Sequence, residues 1–309
     1  MPEFPDSLLT IQDFIRWGAS RFQEAGLFFG HGTDNALDEA VQLVVHALHL
    51  PPDLPPVYLG SRLTDQERCE VADLLRRRIE ERKPAAYLTH RAWFAGLEFY
   101  VNEQVLVPRS PMAELIEAEF EPWVQAERVS RVLDLGAGSG CLGIAVAYYL
   151  PDCEVDMVDI SPPALDVARE NVQRQGVEDR VHVIQSDLFE ALDDRRYDII
   201  LSNPPYVSDA ELAGLPDEYR REPVLGLAGG VSGLDLVVRI LRESARHLEP
   251  EGILIVEVGN TTAALLERFP KVPFVWLDFE RGGEGIFLLT AQQLHDYRDQ
   301  LNQESPEQP

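Results

Sequence analysis

Tyr197-Asp198-Ile199-Ile200-Leu201-Ser202-Asn203-Pro204-Pro205-Tyr206 is the stretch on which the reading of this chain turns. Its apolar run predicts a buried strand that stops where the prolines begin. Neither proline can donate a ladder hydrogen bond, so the segment leaves the sheet at the carboxyl end of a strand. Open α/β sheets bind their ligands at that edge. An asparagine held there by a stiff Pro-Pro unit, with an aromatic ring beside it, suits a planar amino group. The Asn203 side-chain oxygen accepts one N–H, and the Pro204 carbonyl accepts the other. In isolation the same four residues are simply a proline-rich loop after a strand. A glycine-rich turn upstream shifts that balance.

Around this stretch, strands and helices alternate as in a doubly wound sheet. Arg131–Leu135 reads as a strand entering Gly136-Ala137-Gly138-Ser139-Gly140 and then a helix through Tyr149. Val155–Val158 leads to Asp159 and a helix containing Ala164 to Val172, and Val181–Ile184 leads to Asp187. After the proline segment come a helix from Leu234 to His247 and a strand from Gly252 to Val258. Two last apolar runs, Phe274–Phe279 and Ile286–Leu289, flank Arg281-Gly282-Gly283-Glu284-Gly285. That join is short enough for a hairpin, which predicts an antiparallel last strand.

Gly136-x-Gly138-x-Gly140 lets backbone approach a ligand closely at a helix amino terminus. Glycine turns also end strands for structural reasons alone, and a dinucleotide dehydrogenase is a rival reading. Asp159 lies at about the separation from the turn at which an acidic residue binds a ribose. Three details disfavour the dehydrogenase. The pattern is GxGxG; a further acid, Asp187, ends the third strand, where an adenine amino group would lie; and the Asn-Pro-Pro-Tyr segment ends the fourth. Asp134, next to the turn, is placed to hold a cofactor's amino-acid portion directly or through water. Each aspartate alone is commonly a helix cap. The succession of strand-end acids is the specific signal.

The amino-terminal part reads differently. Leu8 to Phe22 has the spacing of an amphipathic helix, and Thr33-Asp34 is the expected cap of a second helix with Ala40, Val41, Val44, Val45 and Leu48 inward. Thr64-Asp65-Gln66-Glu67 resembles a capping box opening a third helix to about Arg82, whose arginines are expected on a solvated face. Trp93–Val101 and Val105–Val107 are expected to form a hairpin around Asn102-Glu103-Gln104, followed by the linker Val107-Pro108-Arg109-Ser110-Pro111. The expected organisation is a helical domain over 1–91, a hairpin and linker over 92–111, an α/β domain over 112–301 and a polar, frayed tail over 302–309.

Composition bounds the function. With 309 residues and 45% apolar content the chain supports a large core. A formal charge of −26 argues against affinity drawn mainly from nucleic-acid phosphates. No stretch is apolar enough to span a bilayer, and the Met1–Thr10 segment lacks the basic region of a secretory signal. Cys69, Cys141 and Cys153 lack metal-ligand spacing and read as reduced thiols, consistent with a cytoplasmic protein; no metal is expected.

Taken together, these residues resemble the seven-stranded S-adenosylmethionine-dependent methyltransferases. Asn203-Pro204-Pro205-Tyr206 is similar to the motif of enzymes that methylate planar nitrogens, namely adenine-N6 DNA enzymes and protein-glutamine N5 enzymes. The helical amino-terminal part, the Leu106–Pro111 linker and Glu222-Pro223-Val224-Leu225-Gly226-Leu227 before a Gly-Leu-Asp helix start resemble the glutamine enzymes. Release-factor methyltransferases typically carry PRPET where this chain has Pro108-Arg109-Ser110-Pro111-Met112. With Tyr206-Val207 and Leu215–Arg220, that makes the chain more similar to the branch acting on the third protein of the large ribosomal subunit. The resemblance covers all but the final dozen or so residues.

It implies S-adenosylmethionine bound at Asp134, Gly136, Ala137, Gly138, Gly140, Asp159, Asp187 and Asn203. It also implies catalysis by Asn203, Pro204 and Tyr206, with Pro205 completing the substrate pocket. Leu188 stands where some relatives have an aromatic residue against the adenine, so no stacking role carries over to it. The substrate implied is a large-subunit ribosomal protein, with no stable nucleic-acid partner and no membrane. A release-factor substrate, adenine methylation and a non-catalytic assembly factor are the alternatives.

Overall fold

The computed structural model describes residues 4–303; residues 304–309 of the expected tail lie outside the described residues. The chain divides into two units. The smaller holds the residues up to Ala92 together with Val101–Glu103 and Pro216–Glu222.

Its helices are α1 (Ile11–Glu24), α2 (Ala36–Ala47), α3 (Asp65–Glu81) and α4 (Ala85–Thr89). Thr10 and Asp13 form a reciprocal capping box at α1, as Thr64 and Glu67 do at α3. The cap of α2 is Asn35 instead of the expected Thr33-Asp34, because its side-chain oxygen reaches the N–H groups of both Leu37 and Asp38. Phe14, Phe22, Leu43, Val44, Val71 and Leu75 form the core between these helices.

One expectation for α3 fails. Arg78 is fully buried, not solvated. Its guanidinium reaches Glu39 Oε1 at 2.6 Å, the Phe28 carbonyl at 3.0 Å and Glu218 Oε1 at 3.5 Å. A planar fork of donors can satisfy several acceptors at once, which is what makes this burial tolerable. Arg82 reaches the same Glu218 carboxylate at 3.1 Å. The Pro216–Glu222 segment is thus tied to the helices by charge as well as by packing.

The larger unit begins with a two-stranded hairpin, β1 (Ala92–Phe94) and β2 (Leu97–Phe99). Its turn is Ala95-Gly96, with φ of 47° and 74°, not Asn102–Gln104, and Val105–Val107 is not a strand. Two successive left-handed residues match the twist of the flanking strands, which a turn of the ordinary hand would splay. After α5 (Met112–Glu117) the alternation follows: β3 (Arg131–Leu135), α6 (Cys141–Tyr149), β4 (Glu154–Asp159), α7 (Pro162–Gln175), β5 (Val181–Gln185) and β6 (Tyr197–Ser202). Short helices α8 (Asp209–Gly214) and α9 (Val224–Leu227) precede α10 (Asp235–His247), β7 (Leu248–Glu257) and α11 (Thr262–Arg268). The unit closes with β8 (Val275–Trp276), β9 (Ile286–Thr290), α12 (Ala291–Asp296) and α13 (Arg298–Leu301).

The seven-stranded sheet has the order β5-β4-β3-β6-β7-β9-β8. The first five of these run parallel, while β9 pairs antiparallel with both β7 and β8, as the glycine-rich join predicts. Side chains alternate between two apolar layers, as a pleated sheet requires. Val132, Ile199, Leu201, Ile253 and Ile255 enter one core, and Leu133, Leu135, Ile200, Leu254 and Val256 enter the other. Both faces are covered, so the strands are nearly continuous apolar runs. Among the described residues no helix is long and apolar enough to cross a membrane.

Removing one member of a buried ion pair leaves its partner's charge stranded. Arg78→Met is therefore expected to lower the unfolding free energy by about 3–5 kcal/mol, read from urea unfolding of the helical signal. A loss below about 1 kcal/mol, within the range of exposed pairs, would contradict the role assigned to this cluster.

Candidate active site

Because β3, β4, β5, β6 and β7 are parallel, their carboxyl ends share one edge of the sheet. The glycine turn after β3 is pinned to that edge by its own backbone. Gly136 N–H and Ala137 N–H both donate to the Val158 carbonyl at 2.9 Å, and Gly140 N–H returns to the Ala137 carbonyl. Asn171 of α7 supports the turn from behind, donating to the Ser139 carbonyl at 2.9 Å and exchanging hydrogen bonds with the backbone of Tyr100. Asn171 is fully buried and was not singled out by the sequence reading.

The strand-end acids fall into this framework. Asp159 accepts from Gly138 N–H at 2.9 Å and Ser161 N–H at 2.8 Å, joining the turn to the start of α7. Burial pushes its carboxyl above the ordinary carboxylate pKa, and these backbone donors pull it back down. Asp134 is completely buried; Oδ2 accepts Gly143 N–H at 2.9 Å, while Oδ1 has no partner. Burial pushes its carboxyl up to about 7, with the Asp159 charge adding to the shift and the Gly143 N–H opposing it. A buried carboxylate oxygen left without a donor is costly unless a ligand supplies one.

Asp187 behaves differently. Its Oδ1 pairs with Arg239 of α10 at 3.0 Å, and the pair is partly exposed. Leu188 has φ of 50° and is buried, so its side chain belongs to the core.

Asn203 follows directly after β6 and is half-buried. Ser202 ties that strand end to β3 by donating to the Leu135 carbonyl at 2.8 Å. Among the described residues none hydrogen-bonds to the Asn203 side chain, and no backbone donor is directed at the Pro204 carbonyl. Two acceptors are therefore left open just after the end of β6. Beyond them, Val207 N–H donates to the Leu227 carbonyl and Gly229 N–H to the Val207 carbonyl, a parallel bridge that fixes the exit of the segment.

Tyr206 points to a residue that sequence reasoning missed. Its hydroxyl donates to Glu257 Oε1 at 2.9 Å, and Ser110 Oγ donates to Glu257 Oε2 at 2.6 Å. Glu257 is the last residue of β7 and is buried. Burial pushes its carboxyl above the ordinary carboxylate pKa, opposed by the Ser110 and Tyr206 hydrogen bonds and by the charge of Arg109. The signal that could have found it is the one that found Asp134 and Asp159: an acid at the carboxyl end of an apolar strand.

Residues 121–214 match the methyltransferase small domain family. Over nearly the whole length, the chain is 53% identical to the ribosomal protein uL3 glutamine methyltransferase of Xanthomonas campestris pv. campestris, across 94% of this chain and 94% of that relative. It is 52% identical to the protein of the same name from Xylella fastidiosa, across 97% of this chain and 96% of that relative. The chain belongs to the ribosomal protein uL3 glutamine methyltransferase family. Among solved structures, the hMettl16 catalytic domain in complex with MAT2A 3'UTR hairpin 6 is 18% identical over 74% of this chain and 83% of that one, with a TM-score of 0.50. That likeness concerns the fold, and it matches a methyltransferase sheet with helices on both faces. The Asn203–Tyr206 segment lies inside the region that matches the methyltransferase small domain family.

Proposed function

We propose that this protein methylates the side-chain amide nitrogen of a glutamine in the large-subunit ribosomal protein uL3, using S-adenosylmethionine, in the cytoplasm. The observation that carries the reading is the pair of open acceptors at Asn203 and Pro204, at the edge of a methyltransferase sheet, in a chain more than half identical to uL3 glutamine methyltransferases.

The residues present fit the cofactor. A Cβ added at Gly136 or at Gly138 would meet nothing within 4 Å, so the turn lies open on one side. The unpartnered Asp134 Oδ1 suits an ammonium group, and Asp159, whose oxygens each keep a lone pair beyond their backbone donors, suits ribose hydroxyls. Asp187 has its second oxygen for an adenine amino group, the first being engaged by Arg239. S-adenosylmethionine, when bound, supplies a methyl group carried on a positively charged sulfur.

An amide nitrogen is a weak nucleophile because its lone pair is delocalised into the carbonyl. Asn203 Oδ1 and the Pro204 carbonyl, accepting both N–H groups, orient that nitrogen and stabilise the positive charge that develops as it takes the methyl. One N–H proton then passes to solvent, which leaves the neutral N5-methyl amide as product. Pro205 stiffens the backbone that presents the Pro204 carbonyl, and Tyr206 walls the pocket against water. The formal charge of −26 suits an encounter with a basic ribosomal protein and disfavours a nucleic-acid substrate.

Incubating the free ribosomal protein with enzyme and S-adenosylmethionine should add one methyl group to a glutamine, located by fragment mass spectrometry. A peptide release factor offered at equal concentration should react more slowly; faster reaction there would overturn the substrate assignment and leave the chemistry intact. Asn203→Ala should keep cofactor affinity within a few-fold and lower kcat by about a hundredfold or more. Normal turnover in that folded variant would rule out the acceptor mechanism. Because free Asp134 titrates near 7 and an ammonium ligand favours its ionised form, cofactor affinity should be full above that pH. It should weaken by about tenfold per pH unit below, and calorimetry on Asp134→Asn should show a flat profile.

A further inference from the structure

We propose that Glu257 is a positioning residue for methyl transfer: anchored by Ser110, its carboxylate holds the Tyr206 hydroxyl and thereby fixes the Pro204-Pro205-Tyr206 backbone that receives the substrate amide. This rests on the reading of Asn203 and Pro204 as acceptors.

The first support is the direction of the hydrogen bonds. Met112 N–H donates to Ser110 Oγ at 3.2 Å, which leaves the Ser110 hydroxyl hydrogen to go to Glu257 Oε2. Tyr206 donates to the other oxygen, Oε1. A carboxylate takes two O–H donors on two oxygens; an amide of the same shape can do so on only one. The chain of bonds therefore runs from the backbone at the start of α5 to the end of the Asn-Pro-Pro-Tyr segment.

The second support is how Tyr206 is confined elsewhere. A Cβ on Gly259 would come within 2.6 Å of ring atom Cε2, so the backbone after β7 lies flat against the ring. Gly233 is similarly close to the Tyr206 carbonyl, and a Cβ on Gly229 would come within 2.8 Å of the Pro205 carbonyl. Ring, hydroxyl and main chain are each held, and Glu257 holds the part of Tyr206 farthest from the backbone. Strand geometry places it there, because β6 and β7 pair in register with Ser202 opposite Val256. Glu257 is thus in step with Asn203 on the neighbouring strand.

The third support is the burial of the carboxylate. Glu257 is 6% exposed, and among the described residues its two hydrogen-bond donors are neutral hydroxyls, with the charge of Arg109 in reach of it. Burying a carboxylate on two hydroxyl donors is a costly way to join a linker to a strand if stability were the whole purpose. A site that must present the Pro204 carbonyl at a fixed point has a use for that rigidity, since misplacement of about 1 Å can cost about a hundredfold in rate.

The test is a mutant cycle on methylation of the free ribosomal protein, with kcat, KM and cofactor affinity measured for each folded enzyme. Glu257→Gln should lower kcat by about tenfold to a hundredfold, with KM and cofactor affinity changed less than about threefold. Tyr206→Phe should do likewise. Adding Glu257→Gln to Tyr206→Phe should cost less than about twofold more, because without the Tyr206 hydroxyl residue 257 has no hold on that segment left to lose. Equal kcat for Glu257→Gln and wild type, or fully additive losses in the double variant, would overturn the proposal while leaving the acceptor reading standing. If Glu257→Gln does not fold, Tyr206→Phe and Ser110→Ala read the same chain of bonds from its two ends, and unchanged kcat in both would overturn it. A wild-type enzyme that transfers no methyl to the ribosomal protein would overturn the underlying reading, and this inference with it.

Discussion

A parallel sheet brings all its strand ends to one edge, and almost everything in the larger unit follows from that. Parallel neighbours require crossovers, so each strand end must turn into a loop or helix start on the same side. At that edge the β3 turn takes its hydrogen bonds from the end of β4, and the end of β6 is tied to β3 through Ser202. The prolines at 204 and 205 add a second constraint, because the chain has to leave the ladder there. Sheet pairing and proline chemistry therefore act in the same direction: one holds the edge in place, and the other projects a short stiff segment from it.

Three carboxyl groups share the neighbourhood of that edge. Asp134, Asp159 and Glu257 all have carboxyl pKa values raised by burial, yet each is held differently. Asp159 rests on backbone donors, Glu257 on two hydroxyls, and Asp134 keeps one oxygen bare. Groups displaced from their ordinary titration range by burial are characteristic of sites where a ligand completes the polar environment. In the free protein the Asp134 shift favours the protonated form, so its contribution to folding stability grows as pH falls below about 7. The carboxylate that suits the ligand is thus the less stable form of the empty protein.

Much of this was legible in the sequence because the signals are local. An apolar run followed by an acid or by prolines marks a strand end whatever surrounds it, and the glycine-rich join before β9 announces an antiparallel strand within a dozen residues. What stayed hidden depends on distant partners or on half-signals. Ala95-Gly96 makes the hairpin turn, yet only its glycine has the composition of such turns, so the polar Asn102–Gln104 stretch drew the assignment instead. Glu257 ends an apolar strand just as Asp134 and Asp159 lie near theirs, but its meaning comes from Ser110, 147 positions away. Arg78 on an otherwise polar helix reads as solvated by default; only Glu39 and Glu218 make its burial intelligible.

The Pro216–Glu222 segment gives the helical unit a history as well as a shape. Arg78 and Glu218 are separated by 140 positions, so the unit is assembled from pieces that leave the ribosome far apart in time. Domains commonly fold as they emerge, amino-terminal parts first. Here the four helices are synthesised long before the strand of chain that neutralises Arg78 and Arg82, and closing so long a loop carries an entropic charge that local helix contacts do not. Until residue 218 is synthesised, Arg78 has Glu39 and the Phe28 carbonyl as available partners but not Glu218. The charge pairing of the amino-terminal unit is thus completed from the middle of the chain, by residues that emerge long after its helices.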